Sequence, residues 1–440
     1  MSSSSSSSSS MSFSVSKKAP ALVAPSAATP SGRLPLSAED RVVPLFFFVH
    51  GIVVFEEGGT ERVSVVREAL AKALVHYYPV AGRIVADPDD DGELGIACTG
   101  EGVWFVEASA DCSLESLGDV NLYFQQGELE QPQLLDLAKH KLLPSLPAEL
   151  DQTTVPLVMQ VTEFLCGGFM LGFKFSHAMF DGVGMAQFVV AMGEMARGLA
   201  EPTTKPVWCR NALPRLTPGP SEADTDHPPV AVDSSQSRVL LPYTVDIPID
   251  RVDKLKDRFE EETGERCTAF DVVAAKLWQC RTRAMGLQPH VAVSVHFLAN
   301  IRRLLRDRLP PEGGYYGNCL NFVVVEGQAG HIAGSPIFEI VRLVKEAKER
   351  LPTQLSRWLK GLAGQRVPTS SSTSLSIVDW RRLGLYETDF GCGAAKYVAS
   401  FDEPPVMLLN SPAPAKGIRV VTKCVAEEHL DAFRNNMSEW

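Results

Sequence analysis

One histidine in this chain stands where proton-transfer chemistry is easy to build. The stretch is Phe173-Lys174-Phe175-Ser176-His177-Ala178-Met179-Phe180-Asp181-Gly182. The apolar run Phe169–Phe175 reads as a strand that delivers His177 at its end, and the Asp-Gly pair reads as a turn that fixes the loop. A neutral imidazole can take the proton of an alcohol or amine as that group attacks a thioester carbonyl, so the pattern suits acyl transfer. Of the nine histidines only His177 is followed by aspartate at the fourth position. The same spacing also fits a core histidine beside an ordinary turn.

A second motif lies about two hundred residues downstream: Val378-Asp379-Trp380-Arg381-Arg382-Leu383-Gly384, then Asp389-Phe390-Gly391-Cys392-Gly393. The two together resemble the BAHD acyltransferases of plants, which carry HxxxD near the middle and DFGWG near the C-terminus. Further matching patches are Tyr77-Tyr78-Pro79-Val80-Ala81-Gly82-Arg83, Cys98-Thr99-Gly100-Glu101-Gly102, Cys166-Gly167-Gly168-Phe169 and Tyr315-Tyr316-Gly317-Asn318. They follow the family's order and span Val23 to the C-terminus.

The resemblance implies an α/β fold of two chloramphenicol-acetyltransferase-like domains, each a mixed sheet with helices, joined by a long crossover loop. The active-site channel is then expected at their interface. It implies that His177 is the general base, with Asp181 holding the loop rather than orienting the imidazole as a dyad partner. It places the Asp389 loop, with Gly391 and Gly393, in the second domain and away from the histidine, shaping the coenzyme region. Arg302, in Asn300-Ile301-Arg302, is the expected partner of Asp389, although Asn300 stands where the family often has an acidic residue. Cys392 replaces the usual tryptophan, which removes a large packing group. Tyr316 and Asn318 are expected near the acyl group, Asn318 as an oxyanion or positioning donor. Thr268 reads as a contact to the coenzyme or as a plain helix cap, and Arg281 and Arg283 as phosphate ligands or solvated helix charges. Lys254 and Lys256 read as exposed helix charges.

Acyl-CoA is expected as a co-substrate, with no permanently bound cofactor and no metal. Ala24-Pro25-Ser26-Ala27-Ala28-Thr29-Pro30 and Met192-Gly193-Glu194-Met195-Ala196-Arg197-Gly198 are similar to grass hydroxycinnamoyl transferases. That similarity implies p-coumaroyl or feruloyl transfer to an alcohol such as a monolignol. The alternatives are an amine acceptor (tryptamine or a polyamine), acetyl or benzoyl transfer to a specialised-metabolite alcohol, and a degenerate binder without catalysis. A peptide-synthesis condensation domain is disfavoured, because Ser176 stands where those domains carry a second histidine. Absence of a GxSxG elbow fits direct transfer without a protein nucleophile.

Composition narrows the rest. A chain of 440 residues exceeds what one core usually covers, so two domains are expected. The net charge of −11 argues against a nucleic-acid partner. Nine scattered cysteines without CxxC spacing read as reduced thiols. Met1, nine serines and Met11 open the chain with no apolar region of the kind a signal peptide needs. Residues 1–22 are therefore expected to be a disordered extension ahead of or around a start at Met11. Val42 to Phe55 is the longest apolar stretch and is broken by Pro44, His50 and Gly51, so no membrane span is expected. A cytoplasmic monomer is the resulting expectation.

The elements that must position these residues follow from periodicity. Helices are expected over Val63–Tyr77, Met185–Arg197, Ile249–Glu262, Ala269–Met285 (with Thr268 as cap) and Pro336–Arg350. Strands are expected near Gly95–Cys98, Val103–Ala108, Leu157–Phe164, Gly168–Phe175, Tyr243–Ile247, Val291–Leu298 and Asn321–Val325. Residues 201–236 hold seven of the thirty prolines and read as the crossover linker. The expected domains are thus 23–200, carrying HxxxD, and 237–440, carrying the DFGWG-like motif.

Overall fold

Runs such as Leu157–Glu163 and Phe169–Ser176 are apolar at nearly every position, which a strand tolerates only when both faces of its sheet are covered. The structure is a computed structural model and describes residues 13–41, 43–59, 61–86, 93–117, 140–213, 239–310, 313–360, 371–402, 406–411 and 416–439. Its strands in chain order are β1 (Val15–Lys17), β2 (Ala21–Val23), β3 (Arg33–Pro35), β4 (Phe48–Phe55), β5 (Arg83–Ala86), β6 (Leu94–Ala97), β7 (Val103–Ala110) and β8 (Leu157–Glu163). There follow β9 (Phe169–Ser176), β10 (Leu240–Pro248), β11 (Ala292–Asn300), β12 (Leu320–Gln328), β13 (Ser374–Asp379), β14 (Tyr397–Ser400), β15 (Val406–Asn410) and β16 (Gly417–Ala426).

Two mixed sheets carry the fold. The first runs β1-β7-β8-β9-β4-β14, with β2 also on β7, and the second runs β10-β16-β15-β13-β11-β12. A small third sheet is ordered β3-β6-β5. Helices Arg62–His76 and Gly182–Ala196 cover one face of the first sheet, where Val53 and Phe55 of β4 join their apolar stripes. The alternate residues Ile52 and Val54 face a smaller cluster that includes Phe13, Leu142, Leu143 and Phe401. Both faces are therefore closed, as the apolar strands require. The second sheet packs on helices Ala269–Met285, Ile337–Leu359 and Glu427–Ser438 around Trp278 and Phe433.

Helix ends are set by named groups. Gly182–Ala196 starts three residues before the expected Met185 because the Asp181 side chain accepts the Gly184 N–H at 2.9 Å and caps it. Helix Ala269–Met285 begins in a capping box, with Thr268 and Asp271 each accepting the other's backbone N–H. Ile337–Leu359 continues nine residues beyond the expected Arg350, straight through Pro352. Leu351, Leu355 and Trp358 extend its buried stripe there, and that burial outweighs the backbone bond proline removes.

Two domain boundaries need correction. Residues 1–12 lie outside the described residues, but the rest of the expected extension is ordered. β1 and β2 pair antiparallel with β7, and Phe13 is buried beneath the sheet. Three residues are too few to show an alternating pattern, and pairing draws on backbone groups that every residue carries. The segment 237–440 also does not stay in one unit: β14 pairs antiparallel with β4 as the edge of the first sheet. Trp380, Leu385, Phe390 and Met407 likewise join the first sheet's core. Residues 214–236 of the expected linker lie outside the described residues.

Candidate active site

His177 emerges at the end of β9, clamped through its backbone. Its N–H donates to the Phe47 carbonyl at 3.0 Å, and its own carbonyl accepts from Asn318 Nδ2 at 2.7 Å. The ring leans on Phe47 and Phe175, with centroids 5.5 and 6.0 Å away. Nδ1 is buried without a hydrogen-bond partner, whereas Nε2 is neither buried nor engaged. Desolvation lowers the imidazole's pKa below its ordinary value of 6.5. Asp181, the residue's own backbone carbonyl, Asn318 and Asp40 offset only part of that. The ring is therefore neutral at pH 7, with Nε2 free to accept a proton.

Asp181 does not touch the imidazole. Fully buried, it accepts from Gly184 N (2.9 Å), Cys319 N (3.1 Å), Arg302 Nη1 (2.8 Å) and Arg302 Nη2 (2.9 Å). Burial works to raise its pKa, but the Arg302 charge and these donors outweigh it and hold the carboxyl below its usual range. The fork also donates to the carbonyls of Tyr315 (3.0 Å) and Gly317 (2.7 Å). Arg302 thus ties the loop after His177 to the second half of the chain.

The expected Arg302–Asp389 pair is accordingly corrected: Arg302 belongs to Asp181. Asp389 Oδ1 instead accepts the N–H groups of its own loop, Gly391 at 2.8 Å, Cys392 at 3.1 Å and Gly393 at 3.0 Å. Gly391 and Gly393 take φ of 84° and 98°, which lets the chain curl around that one carboxylate. Arg197 is its neighbouring cation, with Nη1 donating to the Asp389 carbonyl. The loop packs on helix Gly182–Ala196: a Cβ at Gly193 would lie 2.6 Å from the Asp389 carbonyl oxygen. The contact falls roughly 17 Å along that helix from its His177 end. The loop is distant from the histidine as expected, yet it packs against the first unit.

Other candidates also resolve into structural groups. Thr268 is the helix cap. Arg281 is buried, its Nε donating to the Cys424 carbonyl (2.8 Å) and its Nη2 to that of Ser372 (2.7 Å), so it is neither a phosphate ligand nor a solvated charge. Arg283 is exposed and donates to the Ala333 carbonyl at 2.7 Å. Lys254 and Lys256 pair with Asp250 and Asp253 on their own helix. Tyr316 is fully enclosed by Tyr77, Phe180 and Trp208 and so does not face an acyl group. Asn318 stands beside His177, but both protons of its Nδ2 are committed, to the His177 carbonyl and to Asp40 Oδ1 at 2.9 Å. That leaves its amide no donor for an oxyanion.

Two residues at the site escaped the sequence reading. Asp40, 0% exposed, accepts from Ser37 N and Oγ, from Asn318 N and Nδ2, and from Arg210 Nη1. Arg210 Nη2 donates to the Met179 carbonyl at 2.8 Å, inside the His177–Asp181 loop. In sequence, Ser37-Ala38-Glu39-Asp40 reads only as a capping box, and Arg210 sits in the proline-rich linker.

Residues 13–440 match the Transferase family. The chain belongs to this family of BAHD acyltransferases. It is 48% identical over 98% of its length to all of the myricetin 3-O-glucosyl 1,2-rhamnoside 6'-O-caffeoyltransferase AT2 of Crocosmia x crocosmiiflora. The fold is similar to that of vinorine synthase, with a TM-score of 0.70, 18% identity, and 95% and 96% of the two chains covered. It is also similar to F. sporotrichioides TRI101 complexed with coenzyme A and T-2, with a TM-score of 0.65, 14% identity, and 93% and 98% covered. This BAHD protein is an acyltransferase that draws its acyl group from a coenzyme A thioester. Among the described residues no group of His, Cys, Asp and Glu could hold a metal, and no helix is long and apolar enough to cross a membrane.

Proposed function

We propose that this BAHD acyltransferase moves a hydroxycinnamoyl group from coenzyme A to an alcohol, with His177 as general base, and works as a cytosolic monomer. The observation that carries the reading is the open Nε2 of a neutral, clamped imidazole. The alcohol binds against Nε2, which takes its proton as the oxygen attacks the thioester carbonyl. The tetrahedral intermediate collapses, the C–S bond breaks, and coenzyme A leaves as a thiolate that the imidazolium can reprotonate. Asp181, Arg302, Asp389, Gly391 and Gly393 serve structure around that step.

The similarity to a caffeoyltransferase supports a hydroxycinnamoyl donor and puts a sugar hydroxyl of a flavonol glycoside ahead of a monolignol as acceptor. The test is a product screen by mass spectrometry. Caffeoyl-, p-coumaroyl-, feruloyl-, benzoyl- and acetyl-CoA are each offered with flavonol glycosides, monolignols, tryptamine and polyamines. A hydroxycinnamoyl ester supports the proposal and names the acceptor. Amides alone, or esters of acetate or benzoate alone, overturn it.

A further inference from the structure

With His177 as base, the reaction needs its proton-accepting lone pair on Nε2 and therefore a proton on Nδ1. Asp181 cannot enforce that tautomer, because all its contacts lie elsewhere. The inference rests on the proposed role of His177 and concerns which residue supplies the missing constraint.

Nδ1 of His177 and Oδ1 of Asn318 are both buried and both lack a partner of their own. The Asn318 amide reaches the histidine, since Nδ2 donates to the His177 carbonyl at 2.7 Å. Its orientation is not free. The second Nδ2 proton goes to Asp40 Oδ1, which can only accept while ionised, so Nδ2 must face Asp40 and Oδ1 must face away from it. Asp40 is in turn pinned by Arg210 and Ser37. Asn318 and the histidine's own carbonyl both act on the imidazole in the direction that favours its proton. Among the described residues Nδ1 meets no hydrogen-bond donor, and Asn318 is the side-chain amide held at the histidine, with its Oδ1 unspent.

We infer that Asn318, oriented by the Asp40–Arg210 pair, is the positioning residue that holds the proton on His177 Nδ1 and leaves Nε2 basic. The carbonyl oxygen of a neutral amide then does what a carboxylate does in a serine-protease triad: it fixes tautomer and ring angle. The charged groups around the ring are the carboxylates of Asp181 and Asp40, neutralised by Arg302 and Arg210, and the other walls are Phe47 and Phe175. Arg210 thereby links the first residues of the interdomain connector to the tautomer of the base.

The direct test is long-range 1H–15N correlation on 15N-histidine-labelled protein at pH 7.5, with His177 assigned through His177→Gln. A proton on Nδ1 is expected, and a proton on Nε2 in the wild type overturns the inference whatever any variant does. Asp40→Asn supplies a donor where Asp40 only accepted, so the Asn318 amide turns over and presents N–H to Nδ1. The proton should move to Nε2, and kcat should fall about a hundredfold or more with KM for the acyl-CoA nearly unchanged. Asn318→Leu, which removes the acceptor beside Nδ1, should lose the preference for the Nδ1 proton and lower kcat with KM for the acyl-CoA nearly unchanged. A folded Asp40→Asn enzyme with wild-type turnover also overturns the inference. Loss of activity in His177→Ala, with the proton still on Nδ1 in folded Asp40→Asn and Asn318→Leu, would spare the base and sink only its proposed orienter.

Discussion

At the residue scale, the imidazole of His177 is tuned by enclosure more than by any partner. Burial depresses its pKa, so the unfolded chain binds the proton first as pH falls below 6.5, and the folded base stays neutral further down. The acid limb of kcat/KM should therefore lie below pH 6.5, and a limb above that value would contradict the burial argument. His177→Ala should keep the melting temperature within a few degrees and lose about 10²–10⁴ of turnover. Normal turnover in a folded variant would end the role of His177 as base. The identity of this residue was legible, because strand, histidine and Asp-Gly turn adjoin in sequence. Its surroundings were not: Asn318, Asp40 and Arg210 meet only in space, and each has an ordinary local reading.

Among the elements, those whose signals are local were read best. Helix Ala269–Met285 was placed to the residue because Thr268 and Asp271 announce its start and Gly286 its end. β1 and β2 were missed because an edge pairing leaves no apolar period in a three-residue strand. The Asp389 loop is an intermediate case: its glycines declared a tight turn, but the partner of its aspartate was misassigned. Cys392 of that loop is half-buried against the first core, and its N–H is held by Asp389 independently of its side chain. Cys392→Trp should therefore leave the turn intact, cover added apolar surface beside Arg62, and raise the melting temperature by about 2 °C. A lower melting temperature in differential scanning calorimetry would mean that the neighbours have closed around the small thiol.

For the whole molecule, two buried ion pairs join sequence-distant segments: Asp181 with Arg302, and Asp40 with Arg210. The first sets an acid limit. Because the folded pKa of Asp181 is lowered, its stabilisation is complete above the unfolded value of about 3.9 and drains away as pH falls through the folded value. Arg302→Met should cost about 3–5 kcal/mol near neutrality, since it strands a buried carboxylate. It should also reverse the sign, with the variant gaining stability relative to wild type as acid neutralises Asp181. Melting curves from pH 4 to pH 7 would show this, and parallel curves would refute it. The two-layer α/β class was legible from alternating strand and helix signals. The exchange between halves was not, because nothing local in residues 397–400 says which sheet they will join.

That exchange has a consequence for how the protein comes into being. A ribosome releases the first half with β4 paired to β9 on one side and bare on the other, the outward backbone groups of residues 51–54 unpaired until residues 397–400 emerge. Until nearly the last tenth of the polypeptide is made, a long apolar strand stays open to any passing partner. Birth of this enzyme is thus a wait for its own tail, and the nascent chain is the state most in need of a chaperone's cover.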